Sequence, residues 1–97
     1  MLSMDEELKA AVAAKAAVDT QSTAPLSSAT ITILREAIRA ATPAMMFLSE
    51  GQFTEARYDA AIALSDLIAG PPTQRRIGRA KSAVEHWLKE LREAQLS

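Results

Sequence analysis

Ile77, Val84 and Leu91 recur every seven residues near the end of the chain, and Ala80, Trp87 and Ala94 repeat the same step three positions on. Two apolar series at that offset form one stripe along an α-helix, and Leu88 broadens it. Thr73 stands where an N-cap belongs, and Glu85 with Lys89 gives a favourable pair one turn apart. A helix with one long apolar side needs other helices to cover it, so the pattern predicts an all-α fold. The stripe is short for an autonomous coiled coil and fits the inner face of a bundle helix better. Only 3 glycines and 4 prolines stand among the 97 residues, too few for Gly-rich phosphate loops or turn-dense β architecture. That length is one domain or less.

Three further helical segments precede this one. Residues 4–18 carry Asp5, Glu6 and Glu7 in the first turn, where carboxylates complement the helix dipole, and Ser3 and Glu6 have capping-box spacing. Their apolar stripe is thin: Met4, Leu8 and Val12, with alanines between. Alanine buries little area, so this helix either docks weakly or packs closely against another helix, and a weakly docked N-terminal arm of residues 1–18 is the expectation. Residues 19–30 read as a Ser/Thr/Pro linker, and residues 31–97 as the bundle itself. The second helix starts near Ser28 and carries Ile31, Leu34, Ile38, Ala41, Met45 and Leu48 on one face. Thr42-Pro43 interrupts it, yet the stripe keeps phase, which predicts a kink at Pro43 rather than two helices. A third helix follows Thr54, with Tyr58, Ala61, Ile62, Ser65 and Ile68 on one side and Leu64 and Leu67 widening the stripe. Phe53 and Tyr58 have the spacing of a hydrophobic staple. Gly70 offers a left-handed cap, and Pro71-Pro72 forbids resumption. The expected architecture is a small up-down bundle of three main helices, the second kinked, with the arm beside it.

The stretch Gly51-Gln52-Phe53-Thr54-Glu55-Ala56, followed by Ala60, Ala63 and Leu64, resembles the second helix of a tetratricopeptide repeat. The preceding helix lacks the Trp and Leu-Gly positions of that family, and no second repeat is visible, whereas a solenoid needs about three. A generic helical hairpin whose alanines allow close approach accounts for the same residues. Residues 73–88 also resemble a helix-turn-helix in pieces, but the turn lacks residues and the seven-residue repeat runs straight through it.

The chemistry is bounded by what is missing. The chain has no cysteine and one histidine, so it offers no thiolate nucleophile, disulfide framework or His-rich metal cage. His86 has no Ser, Lys or carboxylate at a spacing that makes a catalytic dyad specific, and Glu55 with Asp59 reads as a solvated acidic face. No enzyme activity, cofactor or metal is expected. No apolar run is long enough to span a membrane, and the acidic N-terminus is unlike a signal peptide. A cytoplasmic protein of bacterial or phage type is expected.

Charge is distributed unevenly. Residues 1–66 hold 5 basic and 9 acidic side chains, and residues 67–97 hold 6 basic and 3 acidic, which sums to the net charge of −1. The basic cluster Arg75, Arg76, Arg79 and Lys81 opens the last helix. Cations are disfavoured at a helix N-terminus, and Arg75 with Arg79 is a like-charge pair one turn apart, so helix stability does not explain them. Met45, Met46, Phe47 and Leu48 are four consecutive large apolar residues, more than one helix face can bury. The expected function is a small regulatory protein that binds a larger protein partner, as inhibitor, antiactivator, adaptor or chaperone. The binding residues expected are Arg75, Arg76, Arg79 and Trp87, then Met46 and Phe47. An acidic partner surface suits the arginines, and a homodimer would enlarge the modest core. The alternative is nucleic-acid binding through Arg75–Lys81.

Overall fold

Two helix starts are fixed by local capping. The Ser27 hydroxyl accepts the Thr30 N–H at 3.1 Å, and its carbonyl accepts the Ile31 N–H at 3.0 Å. Thr73 does the same for Arg76 at 3.2 Å and Ile77 at 2.9 Å. Each hydroxyl satisfies one of the donors a helix leaves open at its first turn. The computed structural model describes the backbone of residues 4–47 and 54–96 and the side chains of residues 5–42 and 55–94. Among the described residues there are four helices and no strand: α1 (Met4–Thr20), α2 (Ser28–Phe47), α3 (Thr54–Ala69) and α4 (Gln74–Leu96).

α1 and α3 each pack against both α2 and α4. The core lies between them. From α4 it takes Ile77, Ala80, Val84, Trp87, Leu88 and Leu91, the seven-residue stripe with its one broadening residue. From α2 it takes Leu34, Ala37, Ala40 and Ala41, with Ile38 partly buried against them. α2 runs on through Pro43 to Phe47 as one helix. Thr42 does not cap a new helix: its hydroxyl donates to the Ile38 carbonyl one turn back, at 2.7 Å. The expected kink at Pro43, the Ser3 cap and the staple at Phe53 fall outside the residues whose side chains are described.

α3 turns a different side inward from the one its large residues suggest. Ala56, Arg57, Ala60, Ala61, Ala63, Leu64 and Leu67 are buried, whereas Tyr58 is 55% exposed and Ser65 is exposed. The small residues let the α3 backbone approach its neighbours closely, and Leu64 and Leu67 set the phase. Gly70 ends α3 without entering the left-handed region expected of it. What glycine supplies there is space: the Arg76 guanidinium lies over Gly70 where a Cβ would stand.

The N-terminal helix also departs from expectation. Ala11, Ala14 and Val18 of α1 are fully or almost fully buried in the same cluster as the other three helices. The helix continues to Thr20, and the connection to α2 shrinks to residues 21–27. Through its buried residues α1 packs against both α2 and α4. The reason is a buried charged cluster that an apolar count overlooks. Arg57 of α3 donates from Nε to Glu7 Oε2 at 2.6 Å and from an η nitrogen to Oε1 at 2.7 Å. Trp87 of α4 donates its indole N–H to the same Oε2 at 2.8 Å. Glu7 and Arg57 are only 3% and 2% exposed. A forked guanidinium on a carboxylate is among the strongest protein hydrogen-bonding arrangements. Here it ties α1 to the two helices across the core. Outside, Lys15 of α1 reaches Glu85 of α4 at 3.4 Å and Asp19 at 2.8 Å. The Asp19 hydrogen bond, first of all, raises the Lys15 pKa above its usual 10.5.

Candidate partner-binding groove

The arginines singled out by the sequence gather at one place. Thr73 caps α4, and its first two turns carry Arg75, Arg76 and Arg79, all exposed. α3 and α4 run antiparallel here, since Asp66 near the end of α3 meets Arg79 near the start of α4. Between the two helices lies a groove of about 340 Å³ lined by Ala63, Asp66, Thr73, Arg75, Arg76 and Arg79. A second groove of about 400 Å³ shares Ala63 and Arg79 and continues along α4 past Ser82 and Ala83 to Asp59 and His86. The two form one trough with small residues at its floor and a basic end.

The basic end is held loosely. Arg79 meets Asp66 at 3.4 Å, with both side chains more than half exposed, a pair of the kind that adds little stability. Arg76 bends back to the Pro71 carbonyl at 3.5 Å. Gly78 lies exposed beside them in the interior of α4, with nothing within 4 Å of a Cβ placed there. Glycine in a helix interior costs about 0.5–1 kcal/mol against alanine. No packing inside the molecule calls for that cost. Gly78 lines neither groove.

Trp87 does not belong to this surface. It is the largest fully buried side chain, and its indole N–H is committed to Glu7. The correction follows from the helix itself. A residue on the inner stripe of α4 cannot also face out, and a buried indole needs the acceptor that Glu7 provides. Met46 and Phe47 lie in α2, but their side chains fall outside the described residues. His86 sits at the far end of the trough, 3.3 Å from Glu90 of its own helix.

Sequence reading missed Glu7 and Arg57. A signal was present in both helices. Glu7 shares steps of four, three and four with Ala11, Ala14 and Val18, and Arg57 shares three, four and three with Ala60, Leu64 and Leu67. A charge in phase with a small-residue stripe on each of two helices marks a buried pair. Among the described residues, no group of three or more His, Asp or Glu side chains converges as metal ligands would. No helix among them is long and apolar enough to cross a membrane. No family model matches the chain, and neither a curated protein nor a solved structure matches it significantly.

Proposed function

We propose that this chain is a non-enzymatic interaction protein that docks an acidic segment of a larger protein in the trough between α3 and α4, and so regulates it. The observation that carries the reading is the placement of Arg75, Arg76 and Arg79 around one open groove. Two of these arginines sit in a helix turn that disfavours cations, and none is buried by the fold. Carboxylates of a partner would relieve both features, because guanidinium groups grip carboxylates in forked pairs and the helix N-terminus favours an anion. A phosphate backbone is the rival ligand for the same arginines, and the recovery of protein or of nucleic acid separates the two.

The test is affinity purification from the cells that make the protein, comparing the natural chain with R75E/R76E/R79E. The natural chain is expected to recover a defined protein in fixed ratio. The triple variant is expected to lose it while keeping the helical circular dichroism of the parent. Retention of the partner by the triple variant contradicts the reading, and so does recovery of nucleic acid alone at low salt.

A further inference from the structure

α1 carries its inner pattern twice. The buried face reads Glu7, Ala11, Ala14 and Val18, at steps of four, three and four. One residue earlier, Glu6, Ala10, Ala13 and Ala17 repeat those steps with nearly the same side chains. Turning the helix by about 100° and advancing it by about 1.5 Å would superpose the second set on the first. Ala10 and Ala17 already lie partly buried at the edge of the core, and Glu6 and Ala13 face outward. We propose that α1 has two docked states one residue apart, with Glu6 replacing Glu7 on Arg57 and Trp87 in the second.

Alanines interchange at no packing cost, and either glutamate supplies the same carboxylate on the same length of stem. The apolar residues that distinguish the states are Leu8 and Val18, which are partly and fully buried in the observed state and turn outward in the other. Their burial makes the Glu7 state the resident one and the Glu6 state a minor one, in the range of about 0.1–10%. The connection permits the move. Residues 22–25 are exposed, and the side-chain hydrogen bonds of Gln21 and Ser22 close only on the loop itself, to Ser22, Ala24 and the Ala24 N–H. An extra residue passed into this loop breaks no side-chain hydrogen bond to the helices, and Leu26, the loop residue packed against the core, lies at its far end. Outside the core, the exposed Lys15–Glu85 contact at 3.4 Å is given up. The same helix then shows solvent two different surfaces, one with Leu8 and Val18 hidden and one with them exposed.

Trp87 is the sole tryptophan of the chain, so its indole N–H gives one resonance that reports the carboxylate bound to it. The experiment follows that resonance and the urea midpoint in full-length E7Q, E6Q and E6Q/E7Q. E6Q alone is expected to leave the indole shift at its parental value. E7Q is expected to move it to a new position that still marks a carboxylate partner, and adding E6Q is expected to abolish that position and lower the midpoint further. If E6Q changes the E7Q protein no more than it changes the parent, the second state does not exist. Should E7Q fail to fold, V18A keeps both carboxylates and removes one of the two distinguishing side chains. It is expected to show a second indole peak that E6Q removes, and a single peak there overturns the proposal.

Discussion

Arg57 is the residue on which the internal organisation turns. Its guanidinium lies in the core and is answered by Glu7 through two hydrogen bonds of 2.6 and 2.7 Å. A buried ion pair adds less net stability than its contacts suggest, because both charges lose water. Removing one partner is a different matter, since the other is left charged and dry. R57M is therefore expected to cost about 3–5 kcal/mol in urea unfolding. W87F removes one hydrogen bond to the carboxylate and keeps most of the packing, so it should cost about 1.5–3 kcal/mol. A loss below about 1 kcal/mol for R57M would mean that water replaces the guanidinium and that the cluster is not closed. None of this was legible from charge counts. Glu7 and Arg57 stand 50 residues apart in sequence, and each resembles an ordinary surface charge until its phase with the alanines is noticed.

At the scale of the helices, capping was the readable part. Ser28 and Thr73 mark starts that the hydrogen bonds of Ser27 and Thr73 explain, and the stripe of α4 goes inward as its repeat requires. Phase was unreadable where alanine dominates. In α3, Tyr58 and Ser65 of the expected stripe are exposed, whereas Ala61, Leu64 and Leu67 of it face the core beside further alanines. In α1, the small apolar stripe suggested weak docking, and a charge supplied the anchor. The outer Lys15 contacts assist it: with the Lys15 pKa raised, that assistance is in place below pH 10.5 and is lost as pH climbs through the raised value. Gly78 offers a test at this scale. It is exposed, helical and free of neighbours, so G78A should raise stability by about 0.5–1 kcal/mol in thermal unfolding. Because Gly78 lines neither groove, the same change should leave partner binding as it is. A G78A protein no more stable than the parent would contradict the helix-interior account of this position.

For the molecule as a whole, the two charged features divide the work. The buried cluster holds α1, α3 and α4 together and takes Trp87 out of any interface, while the exposed arginines remain at the start of α4. The basic segment was visible in the sequence because helix electrostatics gives no reason for it. Its groove was not, because that depends on which side of α3 faces α4. The partner recovered by affinity purification allows the most direct test. Backbone amide shifts of the isotopically labelled chain, followed as that partner is added, should change along Arg75–His86 of α4 and Asp59–Asp66 of α3, with the Trp87 indole unmoved. Shifts confined to the outer faces of α1 and α2, with Arg75, Arg76 and Arg79 silent, would contradict the account.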